Sequence, residues 1–290
     1  MIKVLSIFGT RPEAIKMAPV VKELAKKDGM IISRVCVTAQ HRQMLDQVLG
    51  LFDIKPDYDL NIMQESQTLS QLTANVLSQL EPILRQEKPD WVLVQGDTST
   101  AMAASIAAFY AHIKVGHIEA GLRTFDKWHP FPEEMNRKIT GLVSDLHFAP
   151  TEASRNNLLR EGVDPSTVTV TGNPVIDAFQ MIAHRPYDAR NDPVKDISTG
   201  KRIILVTAHR RENFGKPLVE ICGALQEIAE RYMDVQIVYP VHLNPDVREP
   251  VYRLLGKIPN IILLSPLDYF PFVQLMKRAY LVLTDSGGIQ

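Results

Sequence analysis

Short apolar runs rich in β-branched residues alternate with amphipathic stretches along this chain, and that alternation admits few folds. Ile2–Phe8, Ile31–Thr38, Trp91–Gln95, Val115–Ile118, Leu146–Ala149 and Thr167–Thr171 read as buried strands, as do Ile203–Thr207, Val235–Tyr239, Ile261–Leu264 and Leu281–Thr284. They are short and bounded by turn residues, as expected of parallel strands covered on both faces. Helical patterns lie between them at Pro12–Lys27, Leu69–Gln86, Ser99–Tyr110, Glu133–Leu142, Ala153–Glu161 and Pro217–Tyr232. In the first, Pro12 suits an opening helical turn and Ile15, Val20 and Leu24 form the apolar stripe. Such a βαβα order predicts an open, doubly wound parallel sheet rather than a sandwich.

The 290 residues suit two domains of about 150 residues each. A stretch rich in Pro, Asp, Asn and Lys without apolar periodicity separates them. The expected division is a first Rossmann-like domain over 1–183, a linker over 184–201 and a second Rossmann-like domain over 202–290. Leu281–Thr284 is followed by a glycine turn with no helix after it, so the second domain reads as incomplete.

Net charge is −1, which gives no field to draw nucleic acid or an anionic membrane. Any phosphate site must be built locally, from a few basic residues and helix N-termini. Cys36 and Cys222 lie in apolar surroundings with no CxxC pairing, the pattern of free thiols in a reducing compartment. No apolar run approaches the roughly 18 residues of a membrane span, and the N-terminus opens into a strand rather than a signal peptide. These features point to a cytoplasmic protein.

In open α/β sheets ligands bind beyond the carboxyl ends of the strands, and the polar clusters of this sequence fall there. Gly9-Thr10-Arg11-Pro12-Glu13 follows the first strand; its glycine admits an anion, and Arg11 and Lys16 can neutralise one. Gln95-Gly96-Asp97-Thr98 follows another, where Asp97 either caps the next helix or faces the cleft as an acid or base. His117-Ile118-Glu119 follows a third, and Phe131-Pro132-Glu133-Glu134 comes shortly after. Asp97, Glu119 and Glu133 thus converge on one rim, and neighbouring carboxylates raise one another's pKa in a way that suits proton transfer. In the second half, His209, His242 and the Asp285-Ser286-Gly287-Gly288 turn occupy the corresponding strand ends. The Ser-Gly-Gly turn is a phosphate cradle of backbone N–H groups.

Two partial motifs carry no chemistry. His117-x-Glu119 lacks the PCxxC half of a zinc-deaminase site. Tyr110-x-x-x-Lys114 lacks a glycine-rich dinucleotide turn after the first strand, and Lys114 falls where the chain turns into a strand. Neither a metal nor a nicotinamide cofactor is expected.

Taken together, Phe8–Lys16, Thr38–Leu45, Gly96–Thr98, His117–Arg123, Pro132–Glu134, Ala208–Glu212, Tyr239–Pro245 and Thr284–Gln290 resemble the non-hydrolysing UDP-N-acetylglucosamine 2-epimerases of bacteria. The resemblance implies a glycosyltransferase-B-type pair of domains with the UDP-sugar in the cleft between them. It also implies interconversion of UDP-GlcNAc and UDP-ManNAc by elimination of UDP, a 2-acetamidoglucal intermediate and re-addition, feeding cell-surface polysaccharide synthesis. Asp97, Glu119 and Glu133 would then supply the proton-transfer carboxylates. His209 would attend the departing phosphate or a proton. Arg11, Lys16, His242, Ser286, Gly287 and Gly288 would hold UDP. Phe272 stands as a wall for uridine or as core packing. Some members bind a second UDP-GlcNAc as activator through positions matching Gln40, Gln43 and Glu133. Ser66 stands here where such a member carries an arginine. A homodimer is implied as well. The alternatives on this fold are a UDP-sugar glycosyltransferase, a hydrolysing epimerase and a non-catalytic UDP-sugar-binding fragment.

Overall fold

The computed structural model describes residues 1–39, 42–64, 66–188, 194, 197, 200–286 and 289. It divides into two compact units, Met1–Ala178 and Phe179–Gln290. In the first, β1 (Ile2–Phe8), α1 (Arg11–Ala25), β2 (Ile31–Val37), α2 (Arg42–Leu51), β3 (Tyr58–Asp59), α3 (Leu69–Glu87) and β4 (Trp91–Gln95) come in order. Then follow α4 (Ser99–Tyr110), β5 (Lys114–Ile118), α5 (Glu133–Val143), β6 (Leu146–Ala149), α6 (Glu152–Arg160) and β7 (Val168–Val170). Helix α7 (Pro174–Ala183) carries the chain across the division. The second unit holds β8 (Arg202–Thr207), α8 (Lys216–Arg231), β9 (Val235–Pro240), α9 (Pro245–Leu255), β10 (Ile261–Leu264), α10 (Tyr269–Arg278) and β11 (Leu281–Thr284).

The first sheet has seven strands in the order β3-β2-β1-β4-β5-β6-β7, and the second has four in the order β10-β9-β8-β11. All the recorded strand pairs are parallel. Strand order therefore reverses between β1 and β4 in one unit and between β8 and β11 in the other, the two places where such sheets open a crevice at their carboxyl ends.

Burial explains why these runs become strands. In the first unit, Leu5, Ile7, Val92, Val94 and Val115 pack against Leu72, Val76 and Leu80 of α3 and Ala101, Ala104 and Ala108 of α4. Small residues along α4 let it lie close to the sheet, and each large apolar side chain so buried contributes about 1.5–3 kcal/mol. The second unit is covered on both faces. Leu218, Cys222 and Leu225 of α8 lie in one cluster with Val247, Val251 and Leu255 of α9, and Leu205 and Val238 lie in another with Leu275. Val194 and Ile197, from the stretch read as linker, are buried in that last cluster.

Helices α2, α7, α9 and α10 are additional to the helical stretches singled out from the sequence. Pro250 lies inside α9, where it reads as a breaker, yet the helix is held by the burial of Val247, Val251 and Leu255. Lys114 opens β5 while Tyr110 ends α4, so the two do not share a helical face.

Candidate active site

The β1–α1 turn and the β4–α4 turn meet at the first switch point. Gly9 is required there: a Cβ would lie 1.9 Å from Thr38 Oγ1 and 3.0 Å from Thr100 Oγ1. Thr10 caps α1 in a reciprocal capping box with Glu13. Glu13, almost wholly buried, also does more than cap. Its Oε2 accepts the N–H groups of Gly9 (3.1 Å) and Thr10 (2.7 Å), and its Oε1 accepts the hydroxyl of Thr98 at 2.7 Å. One carboxylate thus joins the two loops. Burial pushes its pKa up against the pull of hydrogen bonding from Thr98, Thr10 and Gly9.

Asp97 is not the cap of α4. Thr98 takes that position, its side chain accepting the N–H of Ala101 at 3.0 Å, so the Asp97 carboxylate is left to other partners. It receives Arg137 Nη2 at 2.6 Å, while Asn136 Nδ2 donates to its backbone carbonyl at 2.9 Å. Burial raises the Asp97 pKa; Arg137 and Lys16 oppose the rise, and the charges of Glu119 and Glu133 add to it. A carboxyl whose pKa is raised in this way is better suited to exchanging a proton than a free aspartate.

Glu119 follows β5 in a left-handed backbone conformation, φ +65°, a strained setting for a residue with a side chain. Its neighbours are pinned: Gly96 N–H donates to the Ile118 carbonyl and Ala120 N–H to that of Phe148. Its carboxylate is heavily solvated by protein donors. Lys16 Nζ reaches both oxygens (2.8 and 2.6 Å), Gln95 Nε2 donates to Oε2 at 2.5 Å, and Asn173 Nδ2 donates to Oε1 at 2.7 Å. Glu133 opens α5 half-buried, beside the fully buried Glu134. Glu134 accepts the N–H groups of Thr124 and Phe125 (3.1 and 3.2 Å) and faces Arg137 Nη1 at 3.5 Å, tying the 124–125 backbone to the arginine that holds Asp97.

In the second unit the β8 and β11 ends are joined by Asp285. Its Oδ2 accepts the N–H groups of His209 and Arg210, both at 2.8 Å, and Asn213 Nδ2 at 3.0 Å. Burial works against ionisation of Asp285, but these donors prevail and its pKa is lowered. His209 Nδ1 lies 3.8 Å from the other oxygen. The His209 and His242 rings stack with centroids 5.5 Å apart and planes 10° apart. Both imidazoles are exposed, an arrangement able to meet an anion from one side. The Ser286 N–H donates to Thr284 Oγ1 at 2.9 Å.

Of the residues singled out from the sequence, Lys16, Asp97, Glu119 and Glu133 gather at the carboxyl end of the first sheet, with Arg11 on the first turn of α1. His209, His242 and Ser286 gather at that of the second. Phe272 packs half-buried against the cluster of Leu205, Val238 and Leu275. Gln43 is exposed on α2. Gln40, Gly287 and Gly288 lie outside the described residues. Sequence reasoning passed over Arg137 and Asn173, and named Gln95 and Asp285 within their strand-end clusters without giving either a role. The signals were present: Arg137 stands one helical turn after Glu133, Asp285 directly follows the last residue of β11, and Asn173 lies three residues beyond β7, directly before α7. Among the described residues no group of three or more His, Cys, Asp or Glu is placed to hold a metal ion, and no helix is long and apolar enough to cross a membrane.

Two Rossmann-like α/β units of the glycosyltransferase-B type, each with its polar cluster at a switch point, define the class. Residues 22–290 match the UDP-N-acetylglucosamine 2-epimerase family, and the chain belongs to it. A UDP-N-acetylglucosamine 2-epimerase of Escherichia coli (strain K12) is 58% identical over 296 residues, covering 99% of this chain and 78% of that protein. Among solved structures, UDP-GlcNAc 2-epimerase from Neisseria meningitidis bound to UDP-GlcNAc superposes with a TM-score of 0.90 at 51% identity, covering 99% of this chain and 79% of that one. The Methanocaldococcus jannaschii UDP-GlcNAc 2-epimerase in complex with UDP-GlcNAc and UDP does so with a TM-score of 0.79 at 35% identity, covering 99% and 80%.

Proposed function

We propose that this protein interconverts UDP-GlcNAc and UDP-ManNAc by elimination and re-addition of UDP, in the cytoplasm and in the service of cell-surface polysaccharide synthesis. The observation that carries the reading is the placement of Asp97, its pKa raised by burial, within the influence of Glu119 and Glu133 in a chain of this family. The C2 proton of the sugar is weakly acidic, so its removal needs a carboxylate base within hydrogen-bond reach. As the base takes that proton, the C2–H electron pair forms the C1–C2 double bond and the C1–O bond breaks, releasing UDP and leaving 2-acetamidoglucal. UDP then re-adds at C1 while a proton is delivered to the opposite face of C2.

Asp97, Glu119 and Glu133 are the proposed proton-transfer group. Arg11, Lys16, His242 and the Ser286–Gly288 turn are the proposed UDP ligands, stabilising charge as the C1–O bond breaks. His209 attends the departing phosphate, and Phe272 is the proposed uridine wall. Gln40, Gln43 and Glu133 are proposed to take an activating second UDP-GlcNAc, and the working form is proposed to be a homodimer. No redox or metal cofactor enters this scheme. Incubation with UDP-GlcNAc, with and without chelator, tests it: UDP-ManNAc should accumulate in both. Free ManNAc with UDP, or activity lost to chelator and restored by zinc, would overturn it.

A further inference from the structure

Glu119 is fixed at two ends by different means. Its backbone is held in a left-handed conformation between the pinned residues Ile118 and Ala120, so the direction in which its side chain leaves is set. The far end is held by one cation and two amides. Lys16 is a point charge on a flexible stem and can turn toward an arriving phosphate. Asn173 cannot turn in the same way. Its Oδ1 accepts the N–H of Val175 at 3.1 Å at the start of α7, as a helix-capping side chain does. That bond settles which face of the amide is oxygen, and the remaining Nδ2 is thereby aimed at Glu119 Oε1, 2.7 Å away.

We propose that Asn173 is a positioning residue for the reaction, acting through Glu119: α7 orients its amide, and the amide holds the Glu119 carboxylate in register while Lys16 is drawn to substrate phosphate. This rests on the epimerase reading for its effect on turnover, but the hydrogen bond itself can be tested without turnover. Its consequence is a separation of effects. Loss of the Asn173 donor acts on kcat, whereas loss of Lys16 acts on the binding of UDP as well.

The test uses Asn173→Asp and Asn173→Ser. Both replacements are good helix caps, so α7 keeps its first turn, but neither offers the amide donor to Glu119. The full chain is labelled with 13C at glutamate side-chain carboxyls, the Glu119 resonance is assigned by its loss in Glu119→Gln, and thermal unfolding, calorimetric UDP titration and steady-state epimerisation are measured. The Glu119 resonance should move in both variants while the unfolding midpoint and UDP affinity stay close to wild type. kcat should fall by about 10²-fold, the scale of a carboxylate misplaced by about 1 Å, and further in Asn173→Asp, which adds a like charge beside Glu119. An unmoved Glu119 resonance overturns the proposal even in a protein that does not turn over. So does kcat within about threefold of wild type in the folded variants, or a fall in kcat matched in both variants by loss of the folded state. An inactive wild type with a displaced Glu119 resonance in the variants would instead count against the epimerase reading and leave the hydrogen bond standing.

Discussion

Arg137 lies 2.6 Å from Asp97 across the mouth of the first sheet, one turn into the helix that Glu133 opens. The pair sets a pH dependence. Burial raises the Asp97 pKa and Arg137 restrains the rise. In the proposed reaction Asp97 would work as a base when ionised, so the rate should fall as pH drops through its pKa. Removing Arg137 takes away a restraining cation and moves that acid limb to higher pH. Arg137→Gln should therefore lose about tenfold or more in kcat/KM near neutral pH, with part of the loss recovered on raising the pH. A uniform loss at every pH would show that Arg137 acts on something other than the ionisation of Asp97.

The three carboxylates should be separately necessary. Asp97→Asn, Glu119→Gln and Glu133→Gln preserve shape and remove charge, and each should lower turnover by roughly 10²-fold or more with the fold intact by circular dichroism. Near wild-type rates in all three would displace the reaction from this rim.

Glu13 predicts a stability effect with a definite sign. Its pKa is raised above 4.5 by burial. A group raised on folding gives its full contribution below its unfolded pKa and loses it as pH climbs through the folded one. Glu13→Gln keeps the oxygen for Gly9 and Thr10 and cannot ionise. The variant should gain stability relative to wild type as pH rises from 4.5 upward. Both tryptophans, Trp91 and Trp128, lie in the first unit, so urea titrations followed by their fluorescence report on the right one. Parallel curves for the two proteins across that range would contradict the assignment.

Asp285 should govern UDP affinity through the His209 loop. Asp285→Ala leaves the N–H groups of His209 and Arg210 and the Asn213 amide without their shared acceptor. A hydrogen bond to a charged acceptor contributes about 1.5–3 kcal/mol, so calorimetric UDP binding should weaken by about tenfold or more, less in Asp285→Asn. Unchanged affinity in Asp285→Ala would separate that loop from nucleotide binding.

Most of the architecture was legible because a parallel sheet writes itself as continuous apolar runs. Ile2–Phe8 and Leu281–Thr284 are strands to the residue. Helix α9 was not singled out, although Val247, Val251 and Leu255 at helical spacing form its buried face. At the site, the charged residues of the strand-end turns were visible from their spacing. What the spacing could not carry was pairing. Whether Asp97 caps α4 or faces Arg137 depends on Thr98 taking the cap, and the reach of Asn173 to Glu119, 54 positions away, exists only once β5, β6 and β7 have paired and their carboxyl ends lie on one edge of the sheet. Glu13 looked like one half of a capping box and proved also to join two loops.

Epimerisation in deuterium oxide tests the central claim most directly. Purified protein is incubated with UDP-GlcNAc in D2O, and the sugar nucleotides are resolved by proton NMR. Removal and return of the C2 proton by side-chain carboxylates predicts UDP-ManNAc whose C2 carries deuterium, with the same label washing into the remaining UDP-GlcNAc. UDP-ManNAc that keeps protium at C2, or no UDP-ManNAc at all, would contradict it.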